Sequence, residues 1–588
     1  MRREVRHLLI VALVATSVFF TLLGASSLWD EDEPKNAACA REMLDAGNWI
    51  VPQFNYQLRT DKPILLYWLM MTAYSVFGVT EFAARFWSAT VAVGTTLLTL
   101  GIGRRLYGGD VGLWAGLAMA GCVMFAVGGR AATPDSLLIF CTTAAFYAFV
   151  RFGGVETGRL SLGGHLALYA AMGTAVLAKG PVGVVLPSAV IGLYLLLRPR
   201  ELDATRSIWN RFAPRRVLEV VGSMRPLVLL VVVGVIAVPW YAAVGIQTDG
   251  RWLAGFLGTH NVARFTGTME NHSGSVLYYP AAVLIGFFPW SCFLPWGIYR
   301  LVRRLRTPDD LATVATSSGR SGRPDLFVAC WAGLYLTFFS IAGTKLPSYV
   351  LLCYPALAVL VGKLIDEWLA APVVFPNWAV RTALAAPIVV GLALVIGLSI
   401  AAPLVLPGEA LLGLVGIPLV VGGAAALWCC VRQQRRPAAI GFAAMSSLFV
   451  VGLTAIGAAR VSTHATSPAV VKAARAVTTT APMTLDTPAN APVSLIAYRH
   501  YEPTLVYYAR SEVPTVATQA ELRRELDRRP GAVIVTRDEF LEELRSAVGG
   551  GASTPLRLRR FLRRDGEIVL LVPATAAEVA AGTVESRR

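Results

Sequence analysis

Acidic and basic residues cluster where apolar stretches of this sequence end. Four consecutive acids at positions 30–33 directly follow the apolar run Leu8–Leu28, and Asp61-Lys62-Pro63 sets an acid and a base just before a later apolar run. The acids alone could simply keep that helix end out of the cytoplasm. The segment between the two motifs is rich in aromatic residues and proline, which favours a functional segment lying in the membrane interface. These residues are Trp49, Pro52, Phe54, Tyr56, Pro63, Tyr67 and Trp68.

Three cations stand in aromatic or proline-bounded turns: Lys62, Arg264 and Lys345. Charges at a membrane boundary are costly and tend to be paired or functional. Cations in such surroundings, on one face of the membrane, are what a phosphate site beside a lipid tail requires. The sequence therefore predicts a site for a lipid-linked phosphate.

Simpler roles stay open for each charged residue near the boundary. Arg130 could pair with Asp135, which follows it in RAATPDSLL, and Lys179 of AKGPVG could cap a helix. Lys345 could extend its side chain to the interface from within the membrane. The sequence alone does not decide between these roles and a direct one in binding.

Histidine is scarce, with six residues in the chain, yet His260 and His272 share one predicted outer loop. With Asp61 they could supply nitrogen and oxygen ligands to a divalent metal such as Zn²⁺, Mg²⁺ or Mn²⁺. The sequence has no close-spaced ligand motif of the HxxxH kind there, and surface histidines more commonly bind nothing. A metal at Asp61, His260 and His272 is thus one hypothesis beside a metal-free site.

The composition indicates a polytopic membrane protein. Hydrophobic residues make up 55% of the 588 residues, charged residues 15%, and the mean hydropathy is +0.57, too apolar for a soluble globule. About thirteen stretches have the length and composition of transmembrane helices. They are Leu8–Leu28, Phe86–Gly103, Val111–Val127, Leu137–Val150, Leu162–Ala178, Val182–Leu197, Pro226–Ile246, Val276–Ile298, Leu326–Ala342, Tyr349–Trp368, Ala383–Leu406, Leu411–Cys430 and Ile440–Ala459.

The distribution of Lys and Arg predicts the orientation. With the N-terminus inside and its first span retained, the cytoplasmic loops hold most of the basic residues, as expected for inner-face loops. The net charge of +16 then mostly reflects the basic residues of the cytoplasmic loops, and it gives no reason to expect nucleic acid as a partner. Seven of the eight cysteines lie in predicted spans, so no disulfide framework is expected. We therefore expect a multi-pass protein of a bacterial inner membrane, with residues 30–68, 247–276 and 461–588 outside.

The C-terminal part, residues 461–588, changes character and predicts a small α/β accessory domain beside a transmembrane domain of residues 1–460. After a Thr/Pro/Ala-rich linker, VSLIAYR, TLVYYAR, AVIVT and EIVLLV are predicted as strands. TQAELRREL and RDEFLEELRSA are predicted as helices. The part has no nucleophile elbow, P-loop or metal signature, which favours an accessory role over a catalytic one.

Several short motifs together, in order and spacing, resemble the integral membrane glycosyltransferases of the GT-C class. The resemblance runs from about Trp29 to Ala358 and is greatest to the aminoarabinose lipid A transferases and the dolichyl-phosphate-mannose protein mannosyltransferase-like group. The motifs are DEDEPKNAACAREM, GNWIVPQFNYQLRTDKPILLYW, RAATPDSLL, AKGPVG, HNVARF, SVLYYP with FFPW, and TKLPSYVLLCYPALA.

The resemblance implies roles for individual residues. The catalytic base of the family falls on Asp32, with Glu33 beside it, and Asp135 matches the second acidic position. The family's Glu-Lys-Pro motif is Asp61-Lys62-Pro63 here, which keeps the phosphate-binding lysine. The remaining matches are donor phosphate ligands, Arg264, Lys345 and Tyr349. His260 and Asn261 depart from the family pattern, so the resemblance does not settle which histidine would hold a metal.

The implied reaction is transfer of a sugar from a polyprenyl phosphate, with undecaprenyl phosphate the expected lipid, to a hydroxyl or phosphate acceptor. The leaving group is already a phosphate, so cations around it suffice, and a carboxylate base on the opposite face of the sugar gives inversion. The acceptor could be lipid A, another glycan, or a protein hydroxyl, as in protein O-mannosyltransferases. A flippase for a lipid-linked sugar is an alternative from another class, but it should carry ligands on both membrane sides.

Overall fold

The computed structural model of the chain describes residues 2–29, 31–198, 211–258, 275, 277–306, 324–371, 375–478, 491–548, 553–558 and 568–573. The described part is mostly helical, with two small sheets. This agrees with the predicted helical membrane fold, since apolar segments in a bilayer must satisfy their backbone hydrogen bonds internally.

The first half of the chain is built from helices and one short hairpin. Its elements are α1 (Arg2–Phe20), α2 (Asp32–Asp45), β1 (Gln53–Phe54), β2 (Gln57–Leu58), α3 (Leu65–Phe77), α4 (Glu81–Tyr107), α5 (Val111–Ala120), α6 (Val123–Arg130), α7 (Asp135–Arg151), α8 (Gly154–Thr157), α9 (Leu162–Lys179), α10 (Val182–Leu197), α11 (Pro214–Ser223), α12 (Pro226–Gln247) and α13 (Arg251–Ala254).

The second half adds further membrane helices and the larger sheet. Its helices are α14 (Tyr278–Gly286), α15 (Leu294–Arg306), α16 (Pro324–Ile341), α17 (Tyr354–Ala370), α18 (Asn377–Val405), α19 (Ile417–Val431), α20 (Arg435–Val451), α21 (Ala458–Ser462), α22 (Thr466–Thr478), α23 (Pro503–Ala509), α24 (Gln519–Arg528) and α25 (Leu541–Val548). Short 3₁₀ turns cover Trp290–Phe293, Pro347–Cys353, Ala410–Gly416 and Asp538–Phe540, and a π-helical turn covers Gly452–Gly457.

Within the described residues, seven helices are long and apolar enough to cross a membrane, or up to nine if each of two bent pairs is one span. The predicted span Val111–Val127 is one of these pairs, because α5 and α6 meet at 64°. The second pair, Tyr278–Gly286 with Trp290–Arg306, is bent by 116° within the predicted span Val276–Ile298. The predicted first span, Leu8–Leu28, is an α-helix only as far as Phe20. The count of thirteen therefore stays a prediction.

Small residues let the central helices approach closely. A side chain at Gly362 of α17 would lie 2.7 Å from the backbone of Val111 and Ala115 on α5, so only glycine fits there. The buried residues of the bundle form one large apolar cluster to which α1, α4, α5, α7 and α17 all contribute. This packing holds the helix ends that carry the charged residues.

The C-terminal part contains a five-stranded sheet. Its strands β3 (Leu495–Tyr498), β4 (Thr515–Val516), β5 (Val533–Arg537), β6 (Ser553–Leu558) and β7 (Ile568–Pro573) lie in the order β4-β3-β5-β7-β6. The strand β3 pairs in parallel with β4 and β5, placing Ile496 opposite Ile534, while β7 runs antiparallel to β5 and β6.

One prediction in this region is wrong, since TLVYYAR forms helix α23 rather than a strand. Pro503 occupies the first turn of α23, where a missing N–H is tolerated, and the helix ends at Arg510 with a positive φ. The apolar residues Leu505 and Val506 are buried in the cluster that also contains residues of α2 and α3. The helix thus buries a run whose β-branched and aromatic residues favour a strand.

The C-terminal part docks on the loop that carries the acids. The buried Arg41 of α2 donates hydrogen bonds from Nη1 to the carbonyls of Val506 (3.2 Å) and Tyr507 (2.9 Å). The tip of the β1–β2 hairpin joins in, because the Asn55 side chain exchanges hydrogen bonds with the backbone of Val513 at 2.8 and 2.9 Å. The domain boundary at residue 460 stays a prediction, and the helical stretch Arg435–Ala476 runs across it.

Candidate active site

The acidic run divides into residues with different surroundings. Glu31 is 77% exposed and pairs with Lys35 at 2.9 Å, whereas Glu33 is 2% exposed. Asp32, the first residue of α2, is about half exposed. Successive helical residues point about 100° apart, so the neighbours Asp32 and Glu33 face different sides. Asp30 lies outside the described residues.

Glu33 is engaged on both carboxylate oxygens. Arg85 of α4 donates to it from Nε (2.9 Å) and from Nη2 (2.7 Å), and the backbone N–H groups of Ala132 (2.7 Å) and Trp29 (3.2 Å) donate as well. The other Arg85 donors are bound to the backbone carbonyls of Leu23, Ser26 and Ser27 and to the Ser26 hydroxyl. This buried bidentate pair ties α2 to the end of α1 and to α4.

Asp32 faces a cation instead. Its Oδ2 lies 3.8 Å from Nζ of Lys62. Burial raises the pKa of Asp32, but Lys62, Arg59 and Lys179 together lower it by more, so the pKa lies below its ordinary value of 3.8. Asp32 is therefore an ionised carboxylate at neutral pH.

The loop before Lys62 is fixed by buried polar contacts. Glu42 of α2 accepts hydrogen bonds from the backbone N–H groups of Asn55 (3.1 Å) and Tyr56 (2.9 Å), which both have positive φ. Arg59, 4% exposed, donates to the Asn36 side chain at 3.0 Å, and its Nε lies 3.6 Å from Oδ2 of Asp61. These contacts set the direction in which the following Asp61-Lys62-Pro63 leaves the hairpin.

A second ion pair lies across the same region. Asp135 begins α7 and Lys179 ends α9, and the ammonium of Lys179 donates a hydrogen bond to Asp135. The same ammonium lies 5.4 Å from the centre of the Tyr349 ring. Lys179 thus does more than cap a helix: it joins the two predicted site residues Asp135 and Tyr349. The signal in the sequence was a lone lysine at the end of an apolar run.

Arg130 does not pair with Asp135. Its guanidinium donates to the carbonyls of Val18 (2.9 Å), Phe19 (3.0 Å) and Thr21 (2.8 Å) at the open end of α1. These are carbonyls that the end of a helix leaves without internal partners. Arg130 therefore stabilises the point where α1 ends.

Lys345 contacts backbone carbonyls. Its Nζ donates to the carbonyls of Ser340 (2.8 Å) and Ala342 (3.1 Å) at the end of α16, and it lies 5.6 Å from the centre of the Tyr279 ring. The side chain is 6% exposed. This position caps α16, and the predicted contact of Lys345 with a donor phosphate stays a prediction.

A cavity of about 280 Å³ brings four of the predicted residues together. These are Asp61, Lys62, Asp135 and Tyr349, and Lys179 lines the cavity beside them, while the walls are apolar. The apolar residues are Leu138, Ile139, Val182, Val185, Leu186, Phe256, Phe338, Phe339 and Leu352. A cavity that combines cations with such walls suits a phosphate that carries a hydrocarbon tail.

The remaining predicted residues, Arg264, His260 and His272, lie outside the described residues. The described part of the chain contains no cluster of three or more His, Cys, Asp or Glu side chains suited to a metal. Asp61 lies against the Arg59 guanidinium, which already offsets its charge with a protein cation. The metal hypothesis therefore stays a prediction.

Comparison with known proteins places the chain in a family. Residues 61–212 match the family model described as dolichyl-phosphate-mannose-protein mannosyltransferase. An uncharacterized protein of Aquifex aeolicus (strain VF5) is 30% identical over 357 residues, covering 61% of this chain and 73% of that protein. The chain belongs to this family of membrane glycosyltransferases.

Other members of the family carry names that describe a reaction. The undecaprenyl phosphate-alpha-4-amino-4-deoxy-L-arabinose arabinosyl transferase of Enterobacter sp. (strain 638) is 26% identical over 371 residues, 63% of this chain. The match spans 61% of the length of that enzyme. The crystal structure of ArnT from Cupriavidus metallidurans bound to undecaprenyl phosphate superposes with a TM-score of 0.71 at 22% identity, covering 97% of this chain and 98% of that one. This last likeness shows a shared GT-C fold.

Proposed function

We propose that this glycosyltransferase transfers a sugar from a polyprenyl phosphate, with undecaprenyl phosphate the favoured lipid, to an acceptor hydroxyl or phosphate. The observation that carries the proposal is the cavity that holds Lys62 and Lys179 between apolar walls, with Asp32 at 3.8 Å from Lys62. The names of the arabinosyl transferase relatives support the same donor class.

The donor would bind with its phosphate on the two lysines. Lys62 and Lys179 supply positive charge that stabilises the phosphate as the bond to the sugar breaks. Asp135 holds the Lys179 ammonium in place, and Tyr349 lies beside it. The hydrocarbon tail would follow the apolar wall toward the bilayer, which anchors the donor without further polar contacts.

Asp32 is the proposed general base. It takes the proton of the acceptor hydroxyl while the acceptor oxygen attacks the anomeric carbon. The bond from that carbon to the phosphate oxygen breaks with inversion, and the phosphate leaves with the bonding electrons. Glu33, although adjacent, has both oxygens bound by Arg85 and by backbone N–H groups, so its proposed role is to orient the start of α2.

The proposed orientation places Asp32 and the C-terminal sheet on the outer face of the inner membrane. The excess of basic residues in the opposite loops supports this orientation. It would give the enzyme access to acceptors of the cell envelope, either a glycolipid such as lipid A or a protein hydroxyl.

A donor and acceptor panel tests the proposed function. The purified enzyme is reconstituted in nanodiscs with undecaprenyl phosphates carrying aminoarabinose, mannose or glucose, together with lipid A or a Ser/Thr-rich peptide. Mass spectrometry of the products should show one sugar transferred in an Asp32-dependent reaction. A matched pair of variants, Lys62→Ala and the partly exposed Lys35→Ala, separates phosphate binding from general loss of positive charge. The proposal would be overturned if the enzyme turns over none of the donors and also fails to bind undecaprenyl phosphate.

A further inference from the structure

A second large groove lies at the opposite end of the bundle from Asp32. It has a volume of about 760 Å³ and is lined by residues of α1, α4, α5 and α7. Arg85 lies in the first turns of α4, and Arg105 lies in the last turn. At 1.5 Å per residue, the two are about 30 Å apart, close to the thickness of the hydrocarbon core. The groove therefore opens at the other membrane surface and is separate from the donor cavity.

The mouth of the groove is basic. Arg3, Arg104 and Arg105 line it together with a single carboxylate, Glu4. Arg104 pairs with Glu4 at 2.6 Å, and both side chains are about half exposed. Arg3 pairs with the nearby Asp110 at 2.6 Å. A second arginine also faces that acid, because Nη2 of Arg436 lies 3.7 Å from Asp110. A third acid lies close by, because Oδ2 of Asp366 is 3.4 Å from the position that a side chain at Gly109 would take. Four arginines and three acids therefore meet at this mouth.

The body of the groove is apolar. Two glycines of α4 allow aromatic rings of α7 to form one wall: a side chain at Gly94 would lie 2.7 Å from the Phe140 ring, and one at Gly101 would lie 2.7 Å from the Tyr147 ring. The remaining apolar lining is Leu8, Leu97, Leu98, Leu100 and Leu113.

The length of the groove corresponds to one leaflet. From Arg105 at the mouth to Gly94 at the far end, the lining residues of α4 extend over about 16 Å at 1.5 Å per residue. Half of a hydrocarbon core of about 30 Å is about 15 Å. A groove of this length holds an acyl chain in one leaflet while its mouth stays at the level of the lipid phosphates.

We propose that this groove binds an anionic phospholipid from the leaflet opposite the active site. The phosphate is held by Arg104 and Arg105, and one acyl chain lies against Leu98, Phe140 and Tyr147. Basic pockets between membrane helices at this depth are suited to anionic headgroups, and arginine forms forked hydrogen bonds to phosphate. The bound lipid fills the space between α1 and α4 and thereby stabilises the position of α1. The C-terminal end of α1 precedes the acids of the active site in the chain.

Native mass spectrometry of the detergent-purified enzyme titrated with phosphatidylglycerol or phosphatidylcholine tests the proposal. Wild type should bind phosphatidylglycerol at least tenfold more tightly than phosphatidylcholine. Arg104→Gln/Arg105→Gln should weaken phosphatidylglycerol binding roughly thirtyfold, because each arginine near an anionic lipid surface contributes about 1 kcal/mol of binding free energy. The charge-matched control Arg306→Gln/Arg381→Gln removes two arginines that do not line the groove, and it should bind as wild type does.

A groove-filling variant keeps the charges and blocks the chain. Leu98→Trp should weaken phosphatidylglycerol binding at least tenfold, while the thermal unfolding of the lipid-free protein stays near that of wild type. Equal binding by wild type and the Arg104→Gln/Arg105→Gln variant would overturn the proposal. Normal phosphatidylglycerol binding by Leu98→Trp would also overturn it, because the acyl chain would then not lie in the groove. In that case the arginines bind only a phosphate group, and inorganic phosphate should compete with the lipid.

Discussion

Replacing Glu33 with glutamine tests whether this acid is structural. The substitution keeps the shape of the side chain but removes the charge that faces Arg85, which is 2% exposed. Glu33 accepts two of the Arg85 hydrogen bonds, at 2.7 and 2.9 Å. Removing one partner of a buried ion pair leaves an uncompensated charge and costs about 3–5 kcal/mol. We therefore expect Glu33→Gln to lower the free energy of unfolding by about that amount.

The assay is unfolding by SDS in mixed micelles, followed by far-ultraviolet circular dichroism. Glu31→Gln is the matched control, because Glu31 lies two residues earlier, is 77% exposed and pairs with Lys35 at the surface. A surface pair is worth about 0–1 kcal/mol, so the control should unfold close to wild type. Combining Glu33→Gln with Arg85→Met should recover part of the loss, since no charge is then left unpaired. A Glu33→Gln protein within 1 kcal/mol of wild type would refute the structural role.

Three further predictions concern the donor site. Lys62→Ala should weaken undecaprenyl phosphate binding in nanodiscs by about 1.5–3 kcal/mol, the value of a hydrogen bond to a charged group, whereas Lys35→Ala should leave it unchanged. Lys345→Ala should lower Tm through loss of two hydrogen bonds to carbonyls. A tenfold loss of donor affinity in the same variant would confirm the predicted phosphate contact, whereas an affinity within twofold of wild type would limit Lys345 to capping α16. The lowered pKa of Asp32 predicts turnover that stays level from about pH 8 to about pH 5 in a pH–rate profile. The stability that the folded protein gains from the contacts of Asp32 with its cations should be present above pH 3.8, the ordinary pKa. It should be lost as the pH falls through the lower pKa of the folded state.

The sequence predicted which residues gather in the cavity better than it predicted how they pair. Lys62, Asp135 and Tyr349 are far apart in the chain, yet each follows or precedes an apolar run on the same predicted face, so topology alone brings them to one end of the bundle. The partner of Asp135 was not predictable in this way. Arg130 is closer in sequence, but the open carbonyls at the end of α1 bind it, and Lys179 takes its place.

The separate roles of Asp32 and Glu33 likewise depend on packing. Both acids belong to one run, and composition gives no reason to distinguish them. The distinction arises because α2 begins at Asp32, which sets the rotation of the helix and turns Glu33 toward Arg85. In the C-terminal part, the β-branched and aromatic residues of TLVYYAR favour a strand, but Pro503 and burial against α2 produce a helix instead. Local patterns cannot report such tertiary contacts.

The most direct test of the central claim is single-turnover transfer by Asp32→Asn, with donor affinity measured on the same nanodiscs. The experiment uses the donor and acceptor that the product panel identifies, and the donor sugar carries a radiolabel. Loss of the general base should slow transfer by about a hundredfold or more while the affinity for undecaprenyl phosphate stays within a few-fold of wild type. Transfer by Asp32→Asn at the wild-type rate would contradict the account.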